Sequence, residues 1–144
     1  MAYWLLKSEP SVYSWDDLRR DGKTFWDGVR NYQARNNLRA MAVGDEALFY
    51  HSNEGKAAVG IVRIVEAARP DPTVEKDELV KDGRNPWVGV TVAPVRALAR
   101  PLALNALRGV AGLEQMALFR SARLSVQPMT AAEWRRLMEL ERGG

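Results

Sequence analysis

The chain has 144 residues, 47% of them hydrophobic and 27% charged, the balance of one ordinary globular domain, which excludes disordered and collagen-like classes. It has no cysteine and one histidine, so disulfides, thiol catalysis, cysteine-bearing zinc sites and any site needing two imidazoles are excluded. The net charge is only +3, yet five arginines face the single Glu114 between Arg96 and Arg123, while Glu66 to Arg84 holds six acids and four bases; a local basic face of this kind attracts a polyanion.

In chain order, Tyr3 to Leu6 reads as a strand that Pro10 ends after the polar turn Lys7-Ser8-Glu9. Ser14 with Asp17 predicts a helix N-cap, and Asp21-Gly22 closes that short helix. A second helix is predicted from Tyr32 to Met41, with Gly44 after its end. Ala47 to His51 and Ala58 to Val65 are β-branched and aromatic, and predict an antiparallel hairpin joined through Ser52-Asn53-Glu54-Gly55. Pro70-Asp71-Pro72 breaks the second of these strands, Val74 to Pro86 is loop-like, and a third strand is predicted from Trp87 through Val95. Leu102 to Leu107 predicts a short helix ended by Gly109 and Gly112. Thr130 with Glu133 forms a capping box that opens a last helix bearing Trp134, Leu137 and Met138. Strands in a block with helices at both ends predict an α+β domain around a curved or barrel-like sheet, one domain over residues 1–144. No apolar run approaches the roughly 20 residues that cross a bilayer. Met1 to Pro10 lacks the charged-then-apolar order of a secretion signal, so a cytoplasmic location without a membrane partner is expected.

The segment from Trp26 to Asn37 holds two aromatics, two arginines and four side-chain amides in twelve residues. Amides and arginines are rarely buried unpaired, so this is not ordinary core composition. An aromatic face beside amide hydrogen-bonders and fixed positive charge is what holding a nucleobase and its phosphate requires. Trp26 precedes the turn Asp27-Gly28, which can present its ring to a cavity; Trp4, Trp15 and Trp134 fall on periodic apolar positions and are assigned to packing, and Trp87 fits either role. Arg30, Arg35 and Arg39 on one side, and Arg120 and Arg123 on the other, are candidate phosphate contacts flanking an aromatic pocket. His51 beside Ser52, with Glu9 or Asp71 as an orienting acid and Ser8 within reach across strands, leaves a hydrolase or nuclease open. There is no Gly-x-Ser-x-Gly elbow, however, and no glycine-rich phosphate loop.

Tyr3 to Pro10, Trp26 to Leu38, Gly44-Asp45, Phe49 to Asn53, Pro70 to Thr73 and Arg123 to Pro128 together resemble the signature blocks of the EVE domain family, over essentially the whole chain. The resemblance implies a PUA-like fold, a small mixed β-barrel with flanking helices related to YTH domains. It further implies a non-enzymatic reader of modified nucleobases, chiefly modified cytosine in DNA, with an RNA-binding module as the alternative. Carried over by motif, Trp26 walls the base pocket and Lys7, Ser8, Glu9, Asn31, Tyr32, His51, Ser52 and Asn53 surround it. Arg30, Arg35, Arg120 and Ser121 lie at its mouth or on phosphate. The family pattern requires no metal and no organic cofactor, and a monomer is expected.

Overall fold

The computed structural model describes residues 1–143. Six strands, β1 (Tyr3–Ser8), β2 (Thr24–Phe25), β3 (Glu46–His51), β4 (Ala57–Pro70), β5 (Val88–Ala103) and β6 (Val126–Met129), form one mixed sheet in the order β2-β5-β4-β3-β1-β6. Only β1 and β3 run parallel, and the connection between them carries α1 (Trp15–Asp21), β2 and α2 (Tyr32–Ala40). The other helices, α3 (Leu104–Leu107), α4 (Ala117–Arg120) and α5 (Ala131–Glu141), follow β5.

The central strands are apolar at nearly every position because both faces of the sheet are covered. Successive side chains point to opposite faces, so Trp4 and Leu6 of β1 join one cluster and Leu5 the other; Ala47 and Phe49 of β3 divide from Leu48 and Tyr50 in the same way. The first cluster is closed by Trp15, Leu18, Ala34 and Leu38 from α1 and α2, the second by Leu107, Leu118, Trp134 and Leu137 from the C-terminal helices. Helix α2 packs on β6 at one end of the strand order and on β5 towards the other, so the sheet curves around it. A Cβ at Gly60 of β4 would lie 2.5 Å from the Trp15 ring; a glycine there is what lets α1 seat its tryptophan against the sheet.

The expected helix ends are present. Ser14 and Asp17 form a reciprocal capping box on α1, Thr130 and Glu133 form another on α5, and Gly22 takes the left-handed conformation after α1. Four elements differ from the sequence expectation. Strand β5 starts after Trp87 and runs past Val95 to Ala103 despite Pro94 and Pro101, since the ladder with β4 is irregular and shifts register beside Pro94, where a missing N–H is tolerated. Strand β6 contains Pro128 and survives because it lies at the sheet edge. The two-residue β2 and the single turn of α4 are too short to leave a periodic signal.

Candidate functional site

The segment from Trp26 to Asn31 is bonded to β5, to the residue just past β4 and to the first turn of α2, which it then enters. The Trp26 amide donates to the Val90 carbonyl at 2.7 Å. The Gly28 amide donates to Asp71 Oδ2 at 2.8 Å, with Gly28 in the left-handed region (φ 77°) where a side chain is strained. The Asn31 side-chain oxygen caps α2 by accepting from the Ala34 amide at 2.9 Å.

Asp71, fully buried just past β4, organises this loop. Besides Gly28 it accepts from the Thr73 amide at 2.7 Å, the Thr73 hydroxyl at 2.6 Å and the Arg30 guanidinium at 2.9 Å. Burial opposes its ionisation, but the Thr73 and Gly28 donors and the Arg30 guanidinium outweigh burial and hold its carboxyl at about 2. Arg30 also pairs with Glu78 at 3.0 Å, and its guanidinium lies 5.7 Å from the Trp87 ring centre. Arg30, expected at the pocket mouth or on phosphate, lies in the recess wall with its charge on two carboxylates, which makes it a tie between the loop, the end of β4 and the 76–78 turn.

Beside this loop lies a recess of about 600 Å³, within the range of about 300–1,000 Å³ common for small-molecule sites. Phe25 to Asn31 form one side, Lys7, Ser8 and Glu9 with Val12 and Tyr13 another, and Ser125 completes it. Trp26 is only 8% exposed and meets Phe49 edge-on at 5.6 Å, so its ring belongs to the core as well as to the recess wall. Several polar groups of the lining make no hydrogen bond among the described residues: the Trp26 indole N–H, the carboxylates of Glu9 and Asp27, and the Asn31 side-chain NH₂, whose oxygen alone is used in capping. The Ser8 hydroxyl, by contrast, donates to the Tyr13 carbonyl at 2.5 Å. Lys7 donates from Nζ to the Ala122 carbonyl and from its amide to Ser125, which fastens the 121–125 loop to the rim; burial lowers its pKa. The buried Gln127 holds the same loop from below by donating to Ser121 and Leu124 carbonyls.

The other predicted positions lie elsewhere. Tyr32 is half-exposed on the outside of α2, its ring 4.7 Å from Trp87 and 4.9 Å from the Arg35 guanidinium. Arg120 and Ser121 line a separate recess with Gln115 and Glu133, and Asn53 lines a third with Lys56 and Arg108. Ser52 follows β3 and donates its amide to the Ser8 carbonyl at 3.0 Å. Trp87 is buried, with its indole N–H donating to the Glu78 carbonyl at 2.7 Å. The sequence offers Asp71 as a strand-breaking turn residue and as an acid that could orient a histidine; the structure bonds it to Gly28, Arg30 and Thr73 instead. Asp71-Pro72-Thr73 carries a local signature for its real surroundings, an Asp accepting from the amide two residues on.

Ser8 and His51 are register partners on β1 and β3, as a hydrolytic pair would need, but their polar atoms face different bonds. His51 Nε2 accepts from the Trp15 amide at 3.1 Å and so holds the start of α1. Burial lowers the His51 pKa, with the Asp16 charge opposing it. The folded state thus binds the proton less readily than the unfolded chain. The associated stability is fully present above the unfolded value near 6.5 and is lost as pH falls through the folded value. Denaturant titration at about pH 8 and about pH 5 should show this loss in the native protein and its absence in His51→Ala, which should also cost about 1 kcal/mol at the higher pH for the stranded Trp15 amide. A pH dependence identical in the two proteins would contradict this role.

The helix-flanked mixed sheet is an α+β fold similar to the PUA-like fold of YTH domains. The YTH domain of Zygosaccharomyces rouxii MRB1, solved with N6-methyladenosine RNA, superposes with a TM-score of 0.59 over 97% of this chain and 86% of that one, at 12% identity, a likeness of fold alone. Within that class the chain belongs to the EVE domain family, whose profile matches residues 2–140. Human thymocyte nuclear protein 1 is 40% identical over 166 residues, covering 97% of this chain and 74% of that protein. A crystal structure of the human protein in complex with 5-methylcytosine-containing DNA matches with a TM-score of 0.87 and 36% identity, over 98% of each chain.

Proposed function

We propose that this protein is a non-enzymatic reader of modified bases, which takes 5-methylcytosine or a close relative, extruded from DNA, into the recess beside Trp26. The observation that carries the reading is a recess of about 600 Å³ lined by an indole together with hydrogen-bonding groups that have no partner among the described residues. The similar human protein's complex with 5-methylcytosine DNA supports the choice of ligand. Cytosine offers an amino donor and ring acceptors; the Glu9 or Asp27 carboxylate suits the first, and the Asn31 NH₂ and the Trp26 N–H suit the second. Lys7 and Ser8 form the rim, and Arg123 supplies charge on the 121–125 loop that Lys7 fastens, with Arg120 just before it at the end of α4. Asp71, held at about 2 and saturated with donors, is a poor general base, and His51 is occupied by a backbone amide, which favours binding over turnover. On this reading the protein acts as a monomer and needs no metal or organic cofactor.

Extruding a base costs a few kcal/mol, and stacking it on an aromatic returns about 1–3 kcal/mol. A buried methyl adds about 0.8 kcal/mol, so preference for the methylated base over the plain one should be roughly fourfold unless a further polar contact adds to it. Titration of matched oligonucleotides differing only in one 5-methyl group tests this. Equal affinity in both series would overturn the reading, and the same titration with RNA strands decides which backbone is preferred through the 2′-hydroxyl.

A further inference from the structure

We propose that the recess formed by the 52–56 loop and the start of α3 is a second, phosphate-binding station, which holds the backbone of the same nucleic-acid strand whose base enters the Trp26 recess. This proposal rests on the reading above and extends it to residues that the base pocket does not use.

The recess measures about 330 Å³ and is lined by Lys56, Arg108, Asn53 and Asn105, with Gly55 and the chain at 103–104. Its lining holds two cations and two amides and no carboxylate. Neither Lys56 nor Arg108 forms an ion pair among the described residues, whereas Arg30, Arg63 and Arg96 each sit on an acid. Two positive charges gathered in a hollow without a counterion repel one another and favour an anion between them. The Arg108 guanidinium lies 5.6 Å from the Phe119 ring centre, an aromatic contact that steadies it without neutralising it.

The loop is fixed rather than slack. Asn53 (φ 68°) and Lys56 (φ 41°) are the only non-glycine residues with positive φ among the described residues, and both line this recess. Such backbone costs of order 1 kcal/mol per residue and persists where the surroundings over-determine it. Here the Lys56 carbonyl accepts from the Leu104 amide at 2.8 Å, and Ala57 pairs with Ala103 across the β4–β5 ladder, which holds the cation of the loop against the cation of α3.

The recess is also tied to the base pocket through the ends of β1 and β3. Ser52 is bonded to Ser8, a rim residue of the Trp26 recess, and Lys7 Nζ lies 6.0 Å from the ring centre of Tyr50, on the neighbouring strand. Ser52 thus links Ser8, in the wall of the first recess, to Asn53, in the lining of the second, across the ends of β1 and β3. A backbone negative at every nucleotide fits such a path, whereas a free base fits only its first part.

The test is the salt dependence of binding to a single-stranded oligonucleotide carrying one 5-methylcytosine, for the native protein and for the double variant Lys56→Gln/Arg108→Gln. Losing two phosphate contacts should flatten the slope of log K against log salt by about 1.4 and weaken binding about tenfold at low salt, with the preference for the methylated base unchanged. Neutral methylphosphonate linkages flanking the methylated base should flatten the slope for the native protein in the same way, which guards against a variant that folds poorly. An unchanged slope in both experiments overturns the phosphate station and leaves base reading intact. A flattened slope with no base preference in either protein keeps the station and overturns base reading. Perturbation of Arg108 by inorganic phosphate without a change in slope would show an isolated anion site and overturn the proposal.

Discussion

Replacing Asp71 with alanine should destabilise the protein by about 3–5 kcal/mol, the largest effect expected of any single polar substitution here, because it strips a buried carboxylate from an arginine and three further donors at once. The loss is asymmetric. Arg30 keeps Glu78, but the Gly28 and Thr73 amides are left without the acceptor that holds the loop against the sheet. Glu78→Gln touches the same guanidinium from its more exposed side and should cost less than about 1 kcal/mol. The carboxyl is also a pH sensor of stability. Its folded value is about 2 against an ordinary 3.8, so its contribution is complete above 3.8 and is lost as pH falls through about 2, some 2 kcal/mol in all. Denaturant titration of the native protein and both variants, repeated in acid, measures each figure. An Asp71→Ala protein within about 1 kcal/mol of the native one would show that the loop is held by something else.

Replacing Trp26 should weaken binding of a methylated oligonucleotide by about 5- to 150-fold, the equivalent of 1–3 kcal/mol of lost stacking. The burial of the ring complicates the usual substitution. Trp26 packs edge-on to Phe49 within the main hydrophobic cluster, so Trp26→Ala also carries a core cost of about 3–5 kcal/mol. Trp26→Phe keeps an aromatic in that packing while reducing the face offered to the recess. It should lose several-fold in affinity with a smaller change in stability, and Trp26→Ala should lose more when both are measured well below their unfolding temperatures. The preference for the methylated over the plain base should shrink in both variants. Affinity that follows stability rather than ring area would place Trp26 in the core alone.

The sequence made the scaffold readable where local chemistry decides structure. Ser14 with Asp17 and Thr130 with Glu133 announce their caps within four residues, and the unbroken apolar run from Ala47 to Tyr50 is that of a strand covered on both faces. It concealed what tertiary partners decide. Pro94 and Pro101 argue locally against a strand, and only the irregular ladder with β4 shows where their missing donors are tolerated. For the site, the density of amides and aromatics from Trp26 to Asn37 marked the right loop, of which the residues up to Asn31 line the recess. The helical half of that segment turns outward, which is why Tyr32 and Arg35 stack on the surface rather than in the recess. Arg30 could not be told from a phosphate ligand by sequence, because its two carboxylate partners lie more than forty residues away.

The central claim is that an extruded base occupies the space beside the Trp26 indole. A crystal structure of the protein with an oligonucleotide bearing one 5-methylcytosine tests it most directly. The account predicts that the methylated ring lies against Trp26 with its edge bonded to groups among Glu9, Asp27 and Asn31. A methylated base that stays stacked in its strand, or that binds away from this recess, would contradict it.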